Sequence, residues 1–193
     1  MGRPREHDEA TRLTLLDAAE RLLSETGPDA VSVRAVADAA QTTTRAVYSV
    51  FGSKAGLLDA LGVRLFTVLA EAIDAQPRSA DPVANLVGAS VQGFRAVMLA
   101  HEPLYRLVFG TPLPADGEAD AAGTAAFARL EALVKELLSD SATQREIADA
   151  ALAVHALTEG LAAVELRGAL GTPRQARRIW VASITALAVG WRT

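Results

Sequence analysis

An all-α fold is predicted for this chain of 193 residues, and three observations carry the prediction. Apolar residues recur with a 3.6-residue period along nearly the whole length. No convincing run of alternating β-branched residues breaks in. The gaps between periodic stretches fall at Ser, Thr, Gly and Pro, the residues that start and stop helices. The expected layout is a small N-terminal three-helix domain (1–52), a fourth helix (53–76) that connects, and a larger C-terminal helical bundle (77–193).

In chain order, the first helix spans roughly Glu9 to Glu25, with Leu15, Ala19, Leu22 and Leu23 on one face. Thr26-Gly27-Pro28 stops it, Gly27 serving as C-cap. Ser32 caps a helix ending near Ala40, and Thr43 caps another ending near Val50. Ser53 caps the fourth, whose stripe of Leu57, Leu58, Leu61, Leu65 and Leu69 runs towards Gln76. The segment from Gln76 to Pro82, with two prolines, reads as the junction between domains. Beyond it, helices are expected over about Pro82 to Ala100, Pro103 to Phe109, Thr124 to Leu138, Ala142 to Leu170 and Pro173 to Trp191. Residues 110–123 read as a flexible loop, and Thr172-Pro173 gives the last helix its cap and first-turn proline.

Composition excludes several classes. Half the residues are apolar and 22% are charged, too apolar for a disordered chain. Without cysteine there is no disulfide or thiolate chemistry, and an intracellular setting is favoured. The charged start MGRPREHDEATR lacks the apolar core of a signal peptide. Of the most apolar runs, 149–170 is interrupted by His155, Glu159, Glu165 and Arg167, and 181–191 is too short for a bilayer. A soluble, cytoplasmic protein without a membrane partner is the expectation. The formal net charge of −4 gives no bulk reason to expect a nucleic-acid partner. Locally the balance reverses: from Val31 to Gly56, Arg34, Arg45 and Lys54 stand against Asp38 alone.

That basic spot coincides with the most informative stretch, VSVRAVADAAQTTTRAVYSVFGSKAGLL, from Val31 to Leu58. Small residues at Ala35, Ala37, Ala39, Ala40 and Ala46 let two short helices approach closely, while Val36, Val47 and Phe51 anchor them inward. This order suits a helix-turn-helix, whose second helix enters the major groove of duplex DNA. Outward remain Thr42, Thr43, Thr44, Arg45, Tyr48 and Ser49, groups able to bond phosphates and base edges, with Arg34 and Gln41 beside them. Lys54 sits next to the Ser53 cap, where the helix dipole disfavours a cation; a phosphate bound there reverses that sign.

Leu15 to Leu58 resembles the DNA-binding domain of the tetracycline-repressor (TetR-like) family. The residues carrying the resemblance are Leu16, Ala18, Ala19, Leu22, Leu23 and Gly27, then Val36, Ala37, Ala40, Ala46, Val47, Tyr48, Phe51, Ser53, Lys54, Leu57 and Leu58. The resemblance implies a homodimeric repressor that leaves a palindromic operator when its C-terminal domain binds a small molecule. It also implies that Tyr48 and Lys54 contact phosphates, that Thr43 to Arg45 face the groove, and that Arg3 and Arg5 add contacts from an N-terminal arm. One departure stands out. Gln41, Thr42 and Thr43 replace the usual Gly, aliphatic, Ser turn, so Gln41 either takes a left-handed conformation or reshapes the turn.

In the C-terminal half, Trp180, Ile184, Leu187 and Trp191 form a stripe expected at a dimer seam, with Ala182, Ala186 and Gly190 as a small-residue face. Ile147, Ala150, Val154, Leu157, Leu161 and Val164 are the matching positions on the preceding helix, for a four-helix interface across a two-fold axis. Expected effector-pocket walls include Phe66, Phe94, Met98, Tyr105 and Phe127, with Leu104, Val108 and Leu130. His155 and Glu159, four apart on an apolar helix, have three uses open to them: pairing with each other, bonding an effector, or reaching Arg95 or Arg106. No nucleophile with its base, no phosphate-cradling glycine loop and no metal-ligand cluster is legible, so no catalytic activity, cofactor or metal is expected. The alternative to a regulator is a helical carrier, or a small acid/base enzyme using His155 and Glu159, that binds no DNA.

Overall fold

The structure is a computed structural model that describes residues 4–110, 113 and 116–191, with side chains from residue 9 onward. Among the described residues there are nine α-helices and no strand. They are α1 (Pro4–Thr26), α2 (Val33–Ala39), α3 (Thr44–Phe51), α4 (Lys54–Asp74), α5 (Pro82–Ala100), α6 (Glu102–Gly110), α7 (Glu118–Lys135), α8 (Gln144–Leu166) and α9 (Pro173–Val189). The caps at Gly27, Ser32, Thr43, Ser53 and Thr172 are where the sequence puts them. Gly27, at φ +83°, closes α1 by donating to the Leu23 carbonyl at 3.0 Å. Thr143 and Thr172 open α8 and α9 in reciprocal capping boxes with Glu146 and Gln175.

The helices pack as two compact units, one of Met1–Phe66 with Pro103–Gly123, the other of Thr67–Glu102 with Thr124–Thr193. These units do not follow sequence order, and residues 76–81 of the expected junction are a loop within the second unit. In the first unit Leu15, Leu23, Val31, Val36, Leu57, Leu61, Leu65 and Leu104 are fully enclosed. Arg64 on α4 donates to Asp17 at 2.6 Å and pairs with Glu20 at 3.1 Å, pinning α4 to α1.

One expected loop is partly helix. Residues 118–123 form the first turns of α7, because Asp59 on α4 accepts from the Glu118 and Ala119 amides, each at 3.1 Å. A carboxylate from a distant helix thus replaces the local cap that sequence inspection looks for. Gly62, one turn along α4, leaves room for Ala119: a Cβ there would stand 2.7 Å from the Ala119 Cβ.

The second unit has a core of Val83, Leu86, Ala89, Leu133, Val134, Leu137, Ala151, Val154, Ile184 and Ala188. Helices α5 and α8 are long and apolar enough to cross a membrane by length and composition, and both spend apolar residues on this core. Helix α5 is not the uniform helix expected. It widens into a π turn over Ala89–Phe94, with the Arg95 amide bonded to the Ser90 carbonyl. Ser90, Val91, Gly93, Phe94 and Arg95 are all buried there. Arg95 then donates to Glu165 on α8, from Nε at 2.9 Å and Nη2 at 2.5 Å, while Trp180 Nε1 on α9 donates to the same carboxylate at 2.7 Å.

Buried Asn85 holds the 77–81 loop: it accepts from the Ser79 amide at 2.7 Å and donates to the Ser79 carbonyl at 3.0 Å and to Glu136 at 3.3 Å. Arg78 also pairs with Glu136. The hydrogen bonds from Arg129 hold the Asp74 carboxyl below the usual carboxylate range.

Two stability outcomes follow from these polar contacts. Asp59→Ala leaves the first α7 amides without an acceptor, at a cost of about 1–2 kcal/mol. Hydrogen exchange at residues 118–120 accelerates in that variant; unchanged protection contradicts the role given to Asp59. Glu165→Ala leaves the Arg95 guanidinium buried and unpaired, a loss of about 3–5 kcal/mol. Denaturant unfolding followed by tryptophan fluorescence measures it, and Glu165→Gln, which still accepts from Trp180 and Arg95, loses less.

Candidate nucleic-acid interface

Helix α2 starts at Ser32, whose hydroxyl accepts from the Ala35 amide at 3.1 Å, and α3 starts at Thr43, whose hydroxyl accepts from Ala46 at 3.2 Å. Between them the chain reverses in three residues. Ala40 and Thr42 donate to the carbonyls of Val36 and Ala37, each at 2.9 Å, and Gln41 donates to Asp38 at 3.1 Å. This closure requires a left-handed residue, and Gln41 supplies it at φ +53°. Of the two outcomes open to that position, the turn keeps its shape and Gln41 takes the strain.

Val36, Ala37 and Val47 are buried beneath the pair. Phe51 is half-buried under the Arg12 guanidinium, 5.7 Å from its ring centre. Helix α3 ends at Gly52, and Ser53 caps α4 by accepting from the Gly56 amide at 3.0 Å. Gly56 is needed at this corner, since a Cβ on it would lie 2.0 Å from the Phe51 carbonyl oxygen.

Apart from the arm residues Arg3 and Arg5, every residue expected to meet DNA is exposed on the first unit: Arg34, Gln41, Thr42, Thr43, Thr44, Arg45, Tyr48, Ser49 and Lys54. Tyr48 shows 52% of its surface, high for an aromatic residue in a short packed helix. Arg34, Arg45 and Lys54 form no ion pair or hydrogen bond among the described residues. Nor do the amides of Lys54 and Ala55, at the α4 N-terminus, find an acceptor there. Three cations, a row of hydroxyls, a phenol and two open amides on one supersecondary unit can bond phosphates and base edges together. Arg3 lies outside the described residues, as does the side chain of Arg5.

The expected effector residues are placed as follows. In the first unit, Phe66 meets Phe109 edge-on at 6.0 Å and Tyr105 stacks on Phe109 at 4.5 Å. In the second, Met98 is fully buried, Phe94 lies 6.2 Å from Trp180, and Phe127 meets His155 edge-on at 5.8 Å. His155 and Glu159 face each other at 3.1 Å, both part-exposed, so the first of their three open uses is realised. Arg95 goes instead to Glu165, which the sequence reading passed over. Its signal was spacing: Val154, Thr158, Ala162 and Glu165 continue one buried line on α8.

Four residues of the expected dimer seam are closed to a second copy. Trp180, Ile184 and Val154 are wholly enclosed and Ile147 nearly so, all within the second unit, and a side chain with no free surface has none to give a second copy. Leu187 and Trp191 pack half-buried against the same core, and Leu161 is half-buried too. The stripe points inward because it carries the bulk that the unit's own core needs. The expected small-residue face of Ala182, Ala186 and Gly190 is exposed, as are Val189 beside it and Leu152, Ala156, Gly160 and Ala163 on α8.

Two family models match the chain: bacterial regulatory proteins of the tetR family over residues 15–61, and the tetracyclin repressor-like C-terminal domain over residues 87–187. No curated protein matches it by sequence. Among similar solved structures, a protein of unknown function from Rhodococcus sp. RHA1 has a TM-score of 0.77 at 24% identity, covering 95% of this chain and 96% of its own. NalD, the secondary repressor of the MexAB-OprM multidrug efflux pump in Pseudomonas aeruginosa, has a TM-score of 0.66 at 23% identity, covering 94% and 96%. A TetR variant from Acinetobacter baumannii AYE in complex with minocycline has a TM-score of 0.67 at 21% identity, covering 92% and 93%. At these identities the likeness is one of fold.

Proposed function

The chain belongs to the tetR family of bacterial regulatory proteins, and on that premise we propose that it is a homodimeric repressor, released from a palindromic operator by a small apolar or amphipathic effector. The observation that carries this reading is the exposed and unpaired polar set of α3 and the α4 N-terminus, built over an apolar base. Thr44, Arg45 and Ser49 face the major groove in this reading, with Thr42, Thr43 and Arg34 at its edge. Tyr48 and Lys54 hold phosphates, Lys54 together with the open amides beside it. Such a protein works in the cytoplasm, on the chromosome, and carries out no reaction of its own.

Two neighbours support the finer parts of the reading: NalD is itself a repressor, and the Acinetobacter protein was solved with a small molecule. The effector is proposed to bind within the second unit, among Phe94, Met98 and Phe127, with the His155–Glu159 pair as the polar element. Binding there favours one of two arrangements of the dimer, and only the arrangement with recognition helices about 34–36 Å apart fits successive major grooves.

Two copies are proposed to join through the exposed faces of α8 and α9, where Ala156, Gly160, Ala163, Ala182 and Ala186 permit close helix approach and Leu152 and Val189 supply apolar area. Ala182→Glu places a carboxylate in that face. Sedimentation is expected to find the native chain dimeric at micromolar concentration and the variant monomeric with its helix content retained. A native monomer at that concentration overturns the dimer.

DNA binding is tested by titrating duplex against salt. Lys54→Ala is expected to weaken binding to all sequences alike and to flatten the log–log salt slope by about one unit. A loss confined to particular bases contradicts the phosphate role. Absence of any retardation of duplex by the native protein at low salt contradicts the DNA-binding reading as a whole.

A further inference from the structure

We propose that Gln41 is a specificity-determining residue of the reader, its carboxamide recognising the adenine edge of an A·T pair in each half of the operator. The inference rests on the DNA-binding reading above and adds to it a base and a residue. It begins from strain. At φ +53° Gln41 occupies the left-handed region, where glycine sits without steric cost and a long L side chain does not. The other non-glycine residue with positive φ among the described residues is Asp116, whose short polar side chain suits that region.

Nothing among the described residues offsets the strain at Gln41. Its side chain is exposed and bonds no described residue, and its backbone bonds are those a glycine would make equally well. Beside it lies an open groove lined by Thr11, Thr14 and Leu15 of α1 together with Ala40 and Thr42, so the carboxamide is not packed down. Backbone strain that the fold does not repay is a mark of a residue kept for what it touches outside the fold.

Its chemistry selects the target. Around the turn Thr42 and Thr44 reach only a short way, and the Thr43 hydroxyl is committed to the Ala46 amide. Gln41 and Arg45 are the two exposed residues from 40 to 45 that carry a two-pronged planar group. A guanidinium presents donors only and matches guanine. A carboxamide presents one donor and one acceptor side by side, which matches N7 and N6 of adenine, whereas a phosphate offers acceptors only and leaves half of the amide unused.

The test is selection of bound sequences from a random duplex library by the full-length native protein, Gln41→Gly and Gln41→Glu, with thermal unfolding of each. The native protein is expected to prefer A·T at one position of each half-site by about tenfold or more. Gln41→Gly is expected to lose that preference alone, to bind random duplex at low salt as the native chain does, and to unfold about 2–4 °C higher. Gln41→Glu, equal in length but an acceptor only, is expected to lose the adenine preference too. Retention of the A·T preference by Gln41→Gly overturns the proposal. Equal weakening on every sequence also overturns it and assigns the side chain to a phosphate, and a Gly variant no more stable than the native chain removes the strain argument. If the native protein enriches no sequence at all, the DNA-binding reading fails first and this inference with it.

Discussion

Helices of seven and eight residues do not persist alone in water, so α2 and α3 exist only while α1 and the start of α4 hold them. That dependence organises the first unit. Val36 and Val47 are sealed beneath the pair, Arg64 ties α4 to α1 through two carboxylates, and Gly56 lets α4 begin directly against the end of α3. With the inward side spent on packing, what remains outward is polar: hydroxyls, a phenol and three cations without partners among the described residues. An acidic chain thereby presents a locally basic face. The Debye length at physiological salt, about 8 Å, limits how far the remaining acidic surface opposes it.

The second unit is held by a different balance. Its core is aliphatic, but the Arg95–Glu165 pair with Trp180 ties α5, α8 and α9 through one carboxylate. Buried charge of this kind contributes little net stability relative to a well-packed apolar core, yet it is costly to leave half-made. It therefore fixes one register among three helices. The π turn of α5 belongs to the same arrangement, since Ser90, Val91, Gly93, Phe94 and Arg95 are buried along it. Trp180, Ile184 and Val154 turn inward to this centre, beside Ala151 and Ala188.

What was legible in the sequence was whatever is encoded within a few residues. Ser32, Thr43, Ser53 and Thr172 each cap the helix that follows through the amide three positions along, and local pattern reveals them. The reader was legible for the same reason, because its turn, caps and exposed residues lie within one short segment. Contacts from far along the chain were not. Asp59 caps a helix that starts 59 residues later, so the first turns of α7 looked like loop. Arg95 and Glu165 are 70 residues apart. A period locates an apolar face but does not say whether the same chain or a second copy covers it: of the seam stripe, Trp180 and Ile184 lie in the core, while Leu187 and Trp191 keep some surface.

The central claim is that two copies of this reader grip duplex DNA at successive major grooves. Hydroxyl-radical footprinting on a sequence selected by the native protein tests it most directly. The account predicts two protected patches on one face of the duplex, about 10–10.5 base pairs between centres and related by a palindrome. A single patch, protection that follows no sequence, or an unprotected duplex at saturating protein would contradict it.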